Sequence, residues 1–138
     1  MKERVIALGF FDGVHLGHGA LLRRAAEEAA LRGCTPAVFT FDRPPKEVVT
    51  GVPCPLINSP EDRRDLVRRL YRIQDVLMVP FDREMMTTPW DDFIVRILVG
   101  RYHAVHLVAG HDHHFGHRNQ GTPELLAQKC AQLGLGCD

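Results

Sequence analysis

Short apolar runs alternate with amphipathic segments along this chain, and that alternation predicts βαβ units and a parallel sheet. The apolar runs have the length of buried strands, whereas the amphipathic segments have the length and period of helices. The predicted strands cover residues 5–8, 37–41, 76–79 and 104–109. The helix that follows the first strand carries its apolar face at Leu21, Leu22, Ala25, Ala26 and Ala29.

Three later helices are predicted to begin with the same signal, a hydroxyl residue followed by proline and then by acidic residues. The hydroxyl can cap free N–H groups, proline suits the first helical position, and the acids complement the helix dipole. These signals lie at Ser59, Thr88 and Thr122. The last of these helices is predicted over residues 123–133 and ends at Gly134.

The helix after Ser59 carries an arginine run, which we assign to a solvated face without a function. Its arginines are Arg63, Arg64, Arg68, Arg69 and Arg72, and its predicted apolar face comprises Leu66, Val67, Leu70 and Ile73.

Residues 42–58 contain four prolines and little periodicity, so they are predicted to form a long loop of the kind that binds or covers ligands. Residues 135–138 are typical of the beginning of a further strand.

The overall composition excludes several classes of protein. Lys and Arg total 17, as do Asp and Glu, so no global field attracts nucleic acid or an anionic membrane. No apolar run approaches the roughly 20 residues that span a bilayer, and the N-terminus lacks a secretory signal. The four cysteines form no CxxC pair, which favours reduced thiols. We expect a cytoplasmic protein that acts on small molecules, with neither nucleic acid nor membrane as a partner.

The candidate chemistry is concentrated in residues 9–18, Gly-Phe-Phe-Asp-Gly-Val-His-Leu-Gly-His, between the first strand and its helix. Glycines and a helix N-terminus favour the binding of an anion such as phosphate. His15 and His18 lie within one helical turn and can point at the same ligand. Anion binding, acid–base catalysis and metal binding all use such a pair, but a zinc site needs three or four ligands.

This segment resembles the HxGH signature of the nucleotidyltransferase superfamily. Its form G-x-F-D-G-V-H-x-G-H is similar to that of the FAD synthetase (FMN adenylyltransferase) domain of bacterial bifunctional riboflavin kinase/FAD synthetase. Three further segments resemble that family's T-F-D-P-H-P, F-D-x-x-x-A…E-x-F-I and V-G-x-D-F-x-F-G stretches. They are Phe39 to Pro45, Phe81-Asp82 with Phe93-Ile94, and Val108 to Gly116.

The resemblance implies a Rossmann-like, doubly wound parallel sheet in a three-layer αβα arrangement, and the transfer of AMP from ATP to FMN with release of pyrophosphate. Mg²⁺ would arrive with ATP, so no protein metal site is implied. His15 and His18 would be catalytic. The ATP-binding residues would be Gly9, Phe10, Phe11, Asp12, Gly13, His15, Gly17 and His18, and the flavin-binding residues would be Pro45, Asp112 and Phe115.

Several positions depart from the family's pattern. Pro44 stands where the family has a histidine, and His113 and His114 occupy the flavin-side segment. The family's S-S-T-x-I-R motif and riboflavin kinase module are absent from residues 1–138, so we expect a single nucleotidyltransferase-like domain truncated at its C-terminus. A noncatalytic nucleotide- or flavin-binding remnant, and a nucleotidyltransferase with another phosphorylated acceptor, are the alternatives. His111, His113, His114 and His117 also suggest a Zn²⁺ or Ni²⁺ site.

Overall fold

The structure, a computed structural model, describes residues 2–11, 16–53, 59–110 and 113–138, without the side chains at positions 16–18 and 46. Its strands are β1 (Arg4–Leu8), β2 (Thr35–Phe41), β3 (Asp75–Val79), β4 (Ala104–Ala109) and β5 (Gly136–Cys137). Within the described residues, all five run parallel in one sheet of order β3-β2-β1-β4-β5. The strand order reverses at β1, so the predicted doubly wound α/β fold is confirmed.

The four strands predicted from apolar runs are confirmed, and three of them begin one or two residues earlier than predicted. The strand beginning predicted at residues 135–138 is β5, which pairs with β4 through His106 and Leu107. The helices are α1 (Leu16–Arg32), α2 (Pro45–Thr50), α3 (Pro60–Tyr71), α4 (Arg83–Met86), α5 (Trp90–Asp92) and α6 (Pro123–Leu133). Helix α5 continues as a π-helix over Phe93–Arg101.

Alternate residues of the strands build two apolar layers, one on each face of the sheet. Val5 and Ala7 pack with the buried face of α1 and with Val67 of α3. Ile6 and Leu8 point to the opposite layer, where the π-helix and α6 cover the sheet. The period of two along β1 therefore produces the three-layer arrangement, because each face of the sheet requires its own helical cover.

Two of the three predicted helix caps are confirmed and one is wrong. The Ser59 hydroxyl accepts a hydrogen bond from the Asp62 N–H at 3.1 Å, and the Thr122 hydroxyl accepts one from the Leu125 N–H at 3.2 Å. Pro89 occupies the N-cap of α5 instead of Thr88, without a side-chain hydrogen bond. The Thr88 hydroxyl instead donates to the Glu84 carbonyl at 2.8 Å, because the end of α4 offers that acceptor nearby.

Two other predictions require correction. The segment predicted as a loop over residues 42–58 contains α2. This helix starts at Pro45, and Gly51, in the left-handed conformation, caps its C-terminus. On α3, Leu70 is 57% exposed, whereas Arg63, predicted to be solvated, is completely buried. Arg63 lies four residues before Val67 and so shares the face that packs on the sheet.

Among the described residues, no helix combines the length and the apolar character that crossing a membrane requires.

Candidate functional site

A cavity of about 210 Å³ opens at the carboxyl ends of the strands. In doubly wound sheets this edge, near the reversal of strand order, is where ligands bind. Leu8 and Gly9 bound it at the end of β1, and Phe41 bounds it at the end of β2. The remaining lining residues are Phe10, Phe39, Pro45, Phe81, Met85, Phe93, His113, His114, Phe115, Gly116 and Asn119.

Aromatic rings form most of the wall of this cavity and pack edge to face. The ring centroids of Phe39 and Phe93 are 5.4 Å apart, and those of Phe41 and Phe81 are 4.8 Å apart. The rings of Phe93 and Phe115 are 5.7 Å apart, with their planes tilted by 38°. Rings in such contacts support one another, so the wall is a preformed surface for a planar ligand.

Two aspartates of the family-like segments hold the loops beside the cavity. One carboxylate oxygen of Asp42 accepts a hydrogen bond from the Phe81 N–H at 3.0 Å, which ties the end of β2 to the segment after β3. Asp82 caps α4 by accepting from the Met85 N–H at 2.9 Å. These carboxylates therefore position Phe81 and Met85 in the cavity wall.

The loop after β4 is held by backbone contacts on both sides of Phe115. Phe115 and Gly121 exchange two backbone hydrogen bonds of 3.2 and 2.8 Å. The next residue, Gly116, has a φ of 78° and lies so close to Trp90 that an added Cβ would be 2.6 Å from the Trp90 Cα. His113 stacks on the Phe115 ring at a centroid distance of 5.9 Å. Phe115 is thus fixed in place as part of the wall.

The strand-to-helix turn begins at this cavity, and its third residue, Phe11, is buried elsewhere. Gly9 and Phe10 line the cavity, and the Gly9 N–H donates to the Phe39 carbonyl at 3.3 Å. Phe11 adopts a positive φ of 59° and buries its side chain in the layer beneath α1. A Cβ at Gly9 would lie 2.7 Å from the Phe11 ring, so glycine permits this close approach.

Arg63 and Thr40 form a polar group beneath the same turn, which the sequence interpretation missed. The Thr40 hydroxyl donates to the Phe10 carbonyl at 2.7 Å, and the Arg63 Nη1 donates to the same oxygen at 2.8 Å. The Arg63 guanidinium carbon lies 4.3 Å from the centroid of the Phe10 ring. The four-residue spacing from Arg63 to Val67 places this arginine on the apolar face of α3, but the helix sequence does not reveal the acceptors that compensate its burial.

The cavity brings together four of the residues predicted to bind ligands, namely Gly9, Phe10, Pro45 and Phe115. Phe11 contributes its ring to the core instead of the cavity. Gly17 and His18 lie in the first turn of α1, and the side chain of His18 lies outside what the structure describes. Asp12, Gly13, His15 and Asp112 lie outside the described residues, as does His111 of the suggested metal cluster.

One group of possible metal ligands occurs among the described residues, and it lines no part of the cavity. Glu28, His106 and Asp138 place their ligand atoms within 4.8 Å of one another. Arg24 contacts both carboxylates, at 2.6 Å to Glu28 and 3.0 Å to Asp138, and Arg32 adds a 3.0 Å contact to Glu28. Burial by itself raises the pKa of Asp138, but hydrogen bonds from Arg24 and His106 outweigh it and lower that pKa. The group is an ion-pair network whose negative charge the two arginines balance.

The cysteines of the described part of the chain, Cys34, Cys130 and Cys137, are free thiols, and Cys54 lies outside it. Cys130 of α6 and Cys137 of β5 are hydrogen-bonded to each other. This bond lowers the pKa of Cys137 to about 7, and together with burial it raises the pKa of Cys130. The pair joins the last helix to the edge strand.

Residues 1–138 match the model of the FAD synthetase family. Three relatives, each described as "Bifunctional riboflavin kinase/FMN adenylyltransferase", match most of the chain. The protein of Listeria monocytogenes is 33% identical over 91% of this chain and 40% of its own length. The protein of Bacillus subtilis is 34% identical over 90% of this chain and 39% of its own length. The protein of Haemophilus influenzae is 31% identical over 94% of this chain and 42% of its own length. The chain therefore spans about 40% of the length of these relatives.

A solved structure entitled "Crystal Structure of Macrolide-efflux Protein from Streptococcus pneumoniae" has a similar fold. It superposes with a TM-score of 0.81 at 25% sequence identity, over 99% of this chain and 43% of that one. This likeness agrees with the strand order and layers described above.

Proposed function

The chain belongs to the FAD synthetase family, and from that premise we propose that it transfers the adenylyl group of ATP to FMN, producing FAD and pyrophosphate. One observation carries the proposal. The aromatic cavity and the start of the strand-to-helix turn share the same residues, Gly9 and Phe10. A planar ring seated in the cavity is therefore adjacent to the turn that favours phosphate.

The acceptor side of the site is the aromatic cavity. Phe115 and Pro45 line it, and Phe93, which also lines it, contacts the Phe115 ring. Stacking on such rings suits the isoalloxazine system of FMN, because that system is flat and largely apolar. We assign Phe115, Pro45 and Asp112 to the flavin.

The ATP side of the site is the turn over residues 9–18. Glycines permit close approach of phosphates to the backbone, and the N-terminus of the 17-residue helix α1 favours negative charge. We assign ATP binding to Gly9, Phe10, Phe11, Asp12, Gly13 and Gly17 together with the two histidines. No carboxylate belongs to the described lining of the cavity, which suits a Mg²⁺ ion held mainly by the triphosphate oxygens, where it neutralises phosphate charge.

The proposed reaction is a direct displacement. A phosphate oxygen of FMN attacks the α-phosphorus of ATP, the bond from that phosphorus to its bridging oxygen breaks, and pyrophosphate leaves with the electron pair. His15 and His18 donate hydrogen bonds to the oxygens that gain charge during this step. No covalent bond to the protein forms, so the residues position the two substrates and stabilise charge.

The test is incubation of the purified chain with ATP, FMN and Mg²⁺, followed by chromatography for FAD and a separate assay for pyrophosphate. Equal amounts of both products are expected. Absence of both at high protein concentration would overturn the proposed activity of this chain. Binding of FMN or ATP without products would favour the noncatalytic alternative.

A second candidate is the same transfer to a different phosphorylated acceptor. His113 and His114 line the cavity where the family's flavin-side segment has other residues, and this observation favours a changed acceptor. A panel of phosphorylated acceptors, assayed for pyrophosphate release, distinguishes the two. Faster release with another acceptor than with FMN would favour the second candidate.

A further inference from the structure

Arg63 is a completely buried arginine that holds the turn from within the protein. It lies in the first turn of α3, where its N–H donates to the Ser59 carbonyl at 2.9 Å. Its side chain is 0% exposed, in contrast to Arg69 on the same helix, which is exposed. Burial of a guanidinium is costly unless hydrogen bonds compensate it, so the groups that Arg63 contacts are informative.

The described contacts of the Arg63 guanidinium converge on Phe10. Its Nη1 donates to the Phe10 carbonyl oxygen at 2.8 Å and to the Thr40 hydroxyl oxygen at 3.2 Å. The Thr40 hydroxyl in turn donates a hydrogen bond to the same Phe10 carbonyl oxygen at 2.7 Å. The guanidinium also lies over the Phe10 ring. Both the backbone and the side chain of Phe10 are therefore held by one residue of α3.

This arrangement fixes the direction of the backbone where the turn begins. A peptide unit is planar, so a fixed Phe10 carbonyl also fixes the direction of the Phe11 N–H. The preceding residue is held as well, through the bond from the Gly9 N–H to the Phe39 carbonyl. Phe11 then takes a positive φ of 59°, which requires firm support in a residue with a large side chain. The support comes from outside the turn, from α3 and β2.

We propose that Arg63, acting with Thr40, is a positioning residue for the nucleotide, because it fixes the backbone at residues 9–11, where the turn that we assign to the phosphates of ATP begins. The proposal rests on the proposed function, since it takes ATP as the ligand of the turn. Loss of the fixed backbone weakens nucleotide binding more than acceptor binding. Of the six phenylalanine rings that line the acceptor cavity, Phe10 is the one that the described contacts of Arg63 involve, and Phe10 belongs to the turn.

The experiment measures ATP affinity by calorimetry, and KM for ATP and for FMN by FAD formation. The variants are Arg63→Met, Arg63→Lys, Thr40→Val and Thr40→Ser, with Arg69→Met as the matched control on the exposed face of α3. Loss of a charge-assisted hydrogen bond corresponds to an increase of about 10- to 150-fold in the Kd and KM for ATP in Arg63→Met. Thr40→Val is expected to show an increase of about 3- to 10-fold. The serine and lysine variants recover part of the affinity, and Arg69→Met matches wild type.

A merely structural role would lower the melting temperature and raise both KM values together, and this result would overturn the proposal. Unchanged ATP affinity in folded Arg63→Met would also overturn it. If Arg63→Met does not fold, the comparison of Thr40→Val with Thr40→Ser decides, and equal ATP affinity in these two variants counts against the proposal. A wild-type chain that binds ATP but forms no FAD refutes the proposed activity, while the binding data still test Arg63. A wild-type chain that binds no ATP refutes both.

Discussion

Replacement of Gly116 by alanine tests how the backbone after β4 shapes the cavity. Gly116 has a φ of 78° and a ψ of −177°, a combination that costs a residue with a side chain about 1–3 kcal/mol. The new Cβ would lie 2.6 Å from the Trp90 Cα and 2.9 Å from the Trp90 nitrogen, so backbone must move, at a further cost of about 1–3 kcal/mol. We expect Gly116→Ala to lower the free energy of unfolding by about 2–6 kcal/mol.

The same movement is expected to weaken flavin binding. Phe115 precedes Gly116 directly, and its ring lies between Phe93 and His113 in the cavity wall. If the shift of the Phe115 ring lowers the binding free energy of the flavin by about 1.4 kcal/mol, the Kd for FMN rises about tenfold. Quenching of FMN fluorescence on titration with protein measures that Kd, and urea denaturation measures the stability.

Gly134→Ala is the matched control for this variant. Gly134 also has a positive φ, of 74°, but an added Cβ would meet nothing within 4 Å, and the residue does not line the cavity. Its loss of stability is expected to be about 1–2 kcal/mol, with an unchanged Kd for FMN. Equal losses of stability in the two variants would refute the argument from the Trp90 contact. A Kd for FMN in Gly116→Ala that matches wild type would refute the argument about the cavity wall.

Three other predictions concern the histidine pair, an ion pair and the thiols. His15→Ala and His18→Ala are each expected to lower turnover about 10²- to 10³-fold, and wild-type rates of FAD formation in both would contradict their assigned role. The pKa of Asp138 in the folded protein is lowered from its ordinary value of 3.8 by the hydrogen bonds from Arg24 and His106. The ionised carboxylate therefore stabilises the fold fully above pH 3.8, and this stabilisation is lost as the pH falls through the folded pKa. Asp138→Asn is therefore expected to be about 1 kcal/mol less stable at pH 7, and a difference that does not shrink as the pH is lowered in a series of denaturation curves would argue against this ion pair. Alkylation of Cys137 is expected to have a midpoint near the pKa of about 7 that its bond to Cys130 produces. Cys130→Ala should move that midpoint up toward about 8.5, and an unmoved midpoint would show that the bond is not the cause.

Local signals in the sequence predicted the elements that depend on neighbouring residues. The caps at Ser59 and Thr122 are confirmed because each hydroxyl bonds an N–H three residues later in its own segment. Thr88 carries the same signal but bonds backward to Glu84. The competing acceptor belongs to the preceding helix, and the prediction considered only the helix that follows.

Arg63 shows where prediction by residue type is wrong. Arginine in a charged helix is usually solvated, but here the hydrogen-bond acceptors come from segments 53 and 23 residues away, at Phe10 and Thr40. Such compensation for burial cannot be recognised from the helix alone. Only the packing of α3 against the sheet shows that the Arg63 side chain is buried.

The sequence by itself determined the alternation of strands and helices and the resemblance to the FAD synthetase family, whereas anion binding by the turn over residues 9–18 stays a prediction. These features are contained in contiguous segments, where period, capping and motif spacing act over a few residues. The tertiary structure alone decided which side chains meet at the cavity. Phe41, Phe81 and Phe115 are widely separated in the chain, and they converge because each lies at or after the end of a parallel strand whose carboxyl end is at one edge of the sheet, while the π-helix that covers the sheet brings Phe93 to them.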